Sequence, residues 1–274
     1  MKKQISILLV LFTFIAFSCK KEAKKEDPNK DTEKAENKTS EEWIQLFDGV
    51  TTKGWRGYNS EVMPPGWIVK DSVLTFDTEV GLKRGSEQDY EGGKDIIYGE
   101  EEFENFELYV EWKIPEGGNS GIFYHLKENI PNAGPANISP EYQLIDDENY
   151  AKIHRVTLTE YNTSLGYENP SELHPLQSTG ADYAMYPADP KAKQLNPAGE
   201  WNSTRIIFTP EKVEHWLNGK KVLEFVPWSE DWTARKNAGK WAKEEHYAKY
   251  KTGYIGFQDH SSPIWFRNIK LKKL

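Results

Sequence analysis

Cysteine is nearly absent: Cys19 is the only one in 274 residues. A second cysteine is needed for an internal disulfide, so a buried core must supply the stability of this chain. Thiolate metal sites are excluded from everything after Cys19. No apolar run is long enough to span a membrane as a helix. Clustered cations are missing as well. The formal net charge is −8, and phosphate binding needs an excess of Lys and Arg, so nucleic acid is not an expected partner. Helix signals are few, and no internal repeat of roughly 20–50 residues is visible. No His-x-x-x-His or Glu-x-x-His group stands in a good metal-ligand context.

What is present begins with MKKQISILLVLFTFIAFSCK. Lys2 and Lys3 precede an apolar stretch from Ile5 to Phe17, followed by Ser18 and Cys19. Residues 1–18 read as a secretory signal, too short and wrongly flanked for a spanning helix. The end of this segment resembles a bacterial lipobox, with Phe17 where a small residue is commoner. The resemblance implies cleavage before Cys19 and lipidation of its thiol and new amine. The protein would then be exported and held on the periplasmic or surface side of a membrane by lipid alone. An ordinary cleaved signal with a coincidental cysteine is the plainer alternative. Residues 19–42 follow as a charged tether, in which Lys20–Glu42 has alanine as its only apolar residue type. Such a stretch buries too little apolar surface to offset the entropy of ordering.

Residues 43–274 carry the globular part. Aromatics make up 13% of the chain, with 10 Trp. Sugar sites use flat aromatic faces, and so do large β cores. The pattern is mostly β. In FENFELYVEWKI, Phe106, Leu108, Val110 and Trp112 fall on one face, with Glu107, Tyr109, Glu111 and Lys113 on the other. GIFYHL, EYQLID, STRIIFTP, KVEHWLNGKKVLEF and TGYIGFQD read similarly. Asn218-Gly219 between apolar runs is a hairpin signal. DWTARKNAGKWAKEEHYAKY is the one clear helix candidate, interrupted by Gly239. Many short strands separated by turns predict an all-β sandwich or jelly roll.

Six stretches then occur in a fixed order: LFDGVTTKGWRGY, GGNSGIFYH, SPEYQLIDD, AGEWNSTRIIF, VEHWLNGKKV and GYIGFQDHSSPIWFRNIKL. Together they resemble the DUF1080, or 3-keto-disaccharide hydrolase, family from about Trp43 to Leu274. The resemblance implies a concanavalin A-like jelly roll of two antiparallel sheets with long loops and a ligand on a concave face. Residues 150–198 look longer and less regular than the family core, as loops shaping a cleft would. The implied substrate is a glycoside whose C3 hydroxyl a separate sugar 3-oxidoreductase has turned into a ketone. The ketone acidifies the C2 proton. Its removal lets the C1–O bond break by β-elimination, and water addition would complete a net hydrolysis. Such a site needs a base, groups that stabilise an enolate, and an acid for the leaving group.

The residues offer candidates for these tasks. His260 follows the strand GYIGFQD and precedes the turn SSP, so it lies at a strand end. It serves either as a proton-transfer group or as a turn hydrogen-bonder. In EYQLIDD, Glu141 and Gln143 share a face opposite Tyr142 and Leu144, which fits a strand lining a groove. Glu141 or Asp146 would share the proton work. Gln143 and Arg267 would orient the sugar or stabilise the enolate. Asp147, Gln258, Asp259, Trp265, Glu111, Asn119 and His125 complete the candidate binding set, with the GFQDH strand and the EYQLIDD strand as neighbouring walls. Asp146-Asp147-Glu148-Asn149 is a hard-cation cluster by composition alone, and otherwise an acidic turn. No cofactor is otherwise indicated.

Two rival functions share this pattern. One is a sugar-binding lipoprotein without catalysis. The other is an ordinary retaining glycoside hydrolase, for which Glu87, Asp89 and Glu91 have the alternate spacing. Their flanks, KRGS and GGK, read as loop, and a retaining pair must hold its carboxyls about 5–5.5 Å apart.

Overall fold

The computed structural model describes residues 42–81, 95–154 and 172–274. Cys19, expected to be lipidated, the expected signal and the expected tether up to residue 41, and Glu87, Asp89 and Glu91 lie outside the described residues. Among the described residues the chain forms a sandwich of two antiparallel sheets. The larger sheet runs β11 (Lys220–Phe225), β10 (Lys212–Leu217), β9 (Asn202–Thr209), β6 (Phe106–Lys113), β13 (Ile264–Lys273), β4 (Val73–Phe76) and β3 (Trp67–Lys70). β1 (Ile44–Gln45) adds to β13. The smaller sheet runs β2 (Trp55–Gly57), β5 (Ile96–Tyr98), β12 (Tyr254–Phe257), β7 (Asn119–Leu126) and β8 (Glu141–Ile145).

The period-two pattern explains the layering. Phe106, Leu108, Val110 and Trp112 of β6 are fully buried between the sheets, and the residues between them face outward. Across the gap, Phe257 of β12 stacks on Phe266 of β13 with ring centroids 3.9 Å apart. Trp55 of β2 stacks on Phe257 at 4.7 Å. Burying each large apolar side chain contributes about 1.5–3 kcal/mol relative to exposure. The indole nitrogens are also paired: Trp112 Nε1 donates to Thr204 Oγ1 at 2.9 Å, and Trp55 Nε1 to the Leu46 carbonyl at 2.7 Å.

Turn chemistry follows the local residues. Asn218 and Gly219 both have positive φ, 47° and 75°, as the two-residue turn between β10 and β11 requires. The helix candidate forms over Glu230–Ala238. Ser229 Oγ caps it by accepting from Trp232 N at 3.2 Å, and Gly239 ends it. Unlike a half-solvated sheet, β7 and β8 are buried on both faces. The turn at 175–177 and the chain after the helix border the outer side of these strands, leaving a cavity between.

Candidate active site

The cavity, about 250 Å³, sits on the outer face of the smaller sheet. β7 and β8 pair so that Gly121 opposes Gln143 and Phe123 opposes Glu141. Alternation sends Tyr142 and Leu144 into the core, while Glu141 and Gln143 line the cavity. Gly121 makes this arrangement feasible: a Cβ there would stand 1.9 Å from Glu141 Oε1. The carboxyl therefore lies over the backbone of the neighbouring strand. Gln143 supports it. With its nitrogen turned toward the acid, the amide donates to Glu141 Oε1 at 3.1 Å and to the Ser120 carbonyl at 3.2 Å.

Burial pushes the Glu141 pKa up to about 8. Lys240 opposes that rise, whereas Asp95 and Asp182 add to it. Lys240 Nζ donates to Tyr183 Oη at 2.9 Å. Its ammonium lies over the Tyr183 ring at 4.5 Å and the Trp241 ring at 4.7 Å. Burial nevertheless lowers the Lys240 pKa from its ordinary value, against the pull of Glu141 and Glu244.

His260 borders the same cavity from the turn after β12, its surface reaching solvent. The Asp259 carboxylate shapes that turn by accepting from Ser261 N at 2.7 Å, and Asp259 N donates to Asp95 Oδ1 at 2.8 Å. The ring of His260 meets Tyr150 edge-on at 6.4 Å. Surrounding protein is the main cause of a lowered His260 pKa, and the charges of His154 and Lys240 lower it further. Gln258 is held beside β7 by its own N–H to the Gly121 carbonyl at 3.0 Å and by Ser120 Oγ donating to its carbonyl at 2.8 Å.

The structure thus gathers Glu141, Gln143, Asn119, Gln258 and His260 around one cavity. It places the other expected residues elsewhere. Asp146 and Asp147 line a second, larger cavity of about 1030 Å³. There the Asp146 carboxylate accepts from Gly117 N at 2.8 Å and Asn149 Nδ2 at 3.0 Å, so it ties two loops together. Asp147 accepts from Thr179 N at 2.8 Å and pairs with Lys193. The acidic turn is therefore committed to internal partners, and among the described residues no three His, Cys, Asp or Glu gather as a metal-binding group.

Glu111, Trp265 and Arg267 lie on the outer face of the larger sheet, across the core from the cavity. The GFQDH and EYQLIDD segments do border one cavity, but Trp265 and Arg267 do not join them, because β13 pairs with β6 and β4 while β12 pairs with β5 and β7. Arg267 Nε donates to Glu111 Oε2 at 2.7 Å and its guanidinium stacks over Trp201 at 3.9 Å. His125 faces the core instead of the cavity. Its φ of 55° breaks the alternation, its Nε2 donates to the Glu104 carbonyl at 2.8 Å, and its ring packs on Phe208 at 4.3 Å. Burial drives its pKa down to about 4. Asp259 supports the His260 turn and does not line the cavity.

Four cavity residues had no signal in the sequence. Lys240 lies just past the helix Glu230–Ala238, in the later part of the stretch read as a helix candidate. Tyr150 opens a one-turn helix, Tyr150–Ile153, Gln177 ends a 3-10 turn, Pro175–Gln177, and Tyr183 lies in a turn, all too short to show a period.

Comparison with known proteins bears on this geometry. A curated 3-keto-disaccharide hydrolase from Bacteroides thetaiotaomicron is 34% identical over 250 residues, covering 85% of this chain and 78% of that protein. A solved structure from Parabacteroides distasonis, provisionally assigned as a glycosyl hydrolase, shares 37% identity with a TM-score of 0.69. It covers 85% of this chain and 94% of its own. A second Parabacteroides distasonis structure, with the same provisional assignment, has 23% identity and a TM-score of 0.54, covering 85% of this chain and 100% of its own. That likeness supports the fold alone. The model of the 3-keto-alpha-glucoside-1,2-lyase-like domain matches residues 42–272. With nearly all of its described sandwich inside that match, the chain belongs to the 3-keto-alpha-glucoside-1,2-lyase-like family.

Proposed function

We propose that this protein cleaves glycosides whose C3 hydroxyl has been oxidised to a ketone, by proton transfer within the 250 Å³ cavity. Family membership supports the substrate class. One observation carries the mechanism: the cavity holds a carboxyl pushed up to about 8 and an imidazole pushed down. Near neutral pH, Glu141 is then mostly the acid form and His260 the free base. Two groups whose environments drive their pKa values apart divide acid and base work between them.

In this scheme His260 removes the C2 proton, which the adjacent ketone has acidified. The electron pair moves onto the C3 oxygen as an enolate. Lys240 and Tyr183 are the donors available to stabilise it. The enolate then collapses, the C1–O bond breaks, and Glu141 protonates the departing oxygen. The products are the free aglycone and an unsaturated ketosugar. Addition of water, with hydroxide to C1 and a proton to C2, turns this lyase step into net hydrolysis. Asn119, Gln143 and Gln258 supply amide groups to hold sugar hydroxyls.

The test separates the two steps. In heavy water, Glu141→Gln should still exchange the C2 hydrogen of a 3-keto-glucoside while cleaving it slowly. His260→Ala should lose both exchange and cleavage. Exchange that survives in His260→Ala removes that residue as the base.

We also infer a setting from the sequence. A sugar 3-oxidoreductase must supply the ketone, and lipidation at Cys19 would hold the enzyme on a membrane through its tether. Cys19→Ser should move the protein out of the membrane fraction. Retention of that variant in the membrane would contradict the anchor.

A further inference from the structure

We propose that the outer face of the larger sheet docks on the headgroups of an anionic phospholipid bilayer, with the 250 Å³ cavity turned away from it. Docking does not depend on the chemistry proposed for that cavity. The face is built by alternation. β9, β6 and β13 lie side by side, and each sends every second side chain outward over most of its length. Register then brings cations against aromatic rings. Trp265 opposes Lys113, Lys270 opposes Tyr109, and Tyr109 opposes Arg205.

The contacts continue across the face. Lys113 Nζ lies 5.3 Å from the centre of the Trp201 ring and 4.8 Å from that of Trp265. Lys270 Nζ lies 4.8 Å from the Trp43 ring and 5.1 Å from Tyr109, and the Arg205 guanidinium lies 5.3 Å from Trp216. All five rings are half-buried. Trp and Tyr interleaved with Lys and Arg suit a water–lipid boundary, where the ring body enters the apolar side and its N–H or O–H stays at headgroup level. A sugar platform needs bare ring faces, and on each of these rings a cation already lies over one.

Charge sets the orientation. The chain as a whole carries −8, so an anionic surface repels it, but on this face the sign reverses. The outward acids of β6, β9 and β13 are Glu107 and Glu111, and both are already neutralised. Arg205 Nε donates to Glu107 Oε1 at 2.6 Å, and Arg267 takes Glu111. Lys113, Lys270 and Lys272 lie outside these two pairs and leave the face positive. At physiological salt exposed charges act over ~8 Å. The two sheets are spaced about 10 Å apart, so acids on the far sheet weigh little here. The chain also enters the domain on this face. Trp43 stands under Lys270 just before β1, and Glu42 before it is exposed. A tether running from a membrane to Trp43 would present this side to it.

The experiment uses the Cys19→Ser chain from the soluble fraction, so that no acyl anchor at Cys19 supplies the binding. It is sedimented with equimolar phosphatidylglycerol–phosphatidylcholine vesicles and with phosphatidylcholine vesicles alone. We expect partition onto the first and not the second, weakening as salt is added. A lysine near an anionic membrane raises partition about fivefold. Adding Lys113→Gln with Lys270→Gln should therefore weaken partition by about tenfold or more, with turnover of a 3-keto-glucoside unchanged. Lys243→Gln with Lys249→Gln removes the same charge from the exposed chain after the helix and should weaken it by less than about twofold. Should the Lys113, Lys270 variant lose cooperative unfolding, the two single variants decide, each at about fivefold. No partition onto the anionic vesicles, undiminished partition without Lys113 and Lys270, or equal losses in the two double variants would each overturn the docking face. Retention on a β-glucan gel that Lys113→Gln with Lys270→Gln abolishes, without vesicle binding, would assign the face to a glycan instead and overturn the proposal.

Discussion

Glu141 and His260 set the behaviour of the site at the scale of residues. The proposed mechanism requires His260 to be neutral and Glu141 to be protonated. The His260 pKa lies below its ordinary value, so that group gains its proton only on the acid side of 6.5. Glu141 loses its proton as the pH rises through about 8. We therefore expect kcat/KM for a 3-keto-glucoside to be bell-shaped, with an acid limb displaced below the ordinary histidine range and an alkaline limb at about 8. Glu141→Gln should remove the alkaline limb and lower cleavage by about 10²–10⁴. A profile that stays flat through pH 9 would exclude Glu141 as the acid. Gly121→Ala should act on the same carboxyl without changing its chemistry. The new methyl must displace Glu141, because its position lies 1.9 Å from Oε1. Activity should fall sharply while added Glu141→Gln costs little more. Full activity of Gly121→Ala would show that the observed carboxyl position is not the working one.

At the scale of elements, the two-sheet division decides which residues can cooperate. β12 carries Gln258 to the cavity, and β13 carries Trp265 and Arg267 to the opposite outer face. Trp265→Ala and Arg267→Ala should leave turnover within about twofold of wild type. The Arg267–Glu111 pair is partly solvated, so its loss should cost at most about 1 kcal/mol. A large drop in kcat for either variant would bring the far sheet back into the mechanism. This division also shows where local pattern stops being informative. The alternation in EYQLID places Glu141 and Gln143 on one face from the sequence alone, and Asn218-Gly219 specifies its own hairpin. Which strand lies beside β13 depends on pairings distant in the chain, so parity could align Arg267 with a face but not with a sheet. His125 misled for a different reason: its positive φ ends the period that parity relies on. Lys240 and Gln177 were invisible because short turns brought them to the cavity, and such turns have no period to read.

For the whole molecule, the site has a cost in stability. Glu141 and Asp182 are both pushed up to about 8, and Asp95 to about 7, with burial the main cause in each. Their folded pKa values exceed the unfolded ones, so the folded state holds protons that the unfolded chain releases. The stability they contribute is fully present below about pH 4 and is lost as the pH rises through about 7–8. Removing one such charge should therefore help at alkaline pH. Glu141→Gln is expected to be more stable than wild type at pH 8 by at least about 1 kcal/mol, or ~2–4 °C in Tm. The gain should vanish near pH 4. Calorimetric unfolding at both values checks this, and a Glu141→Gln protein less stable than wild type at pH 8 would mean that the carboxylate is compensated.

The central claim concerns the ketone, and one assay reaches it directly. Purified protein is incubated with a 3-keto-glucoside and, side by side, with the parent glucoside, and the products are followed by mass spectrometry. Only the ketone makes the C2 proton acidic enough for the cavity to remove. We predict release of the aglycone from the 3-keto-glucoside alone, with the parent glucoside left intact. Equal turnover of both would mark an ordinary glycosidase, and binding without turnover of either would mark a sugar-binding module; each result would contradict the mechanism proposed for Glu141 and His260.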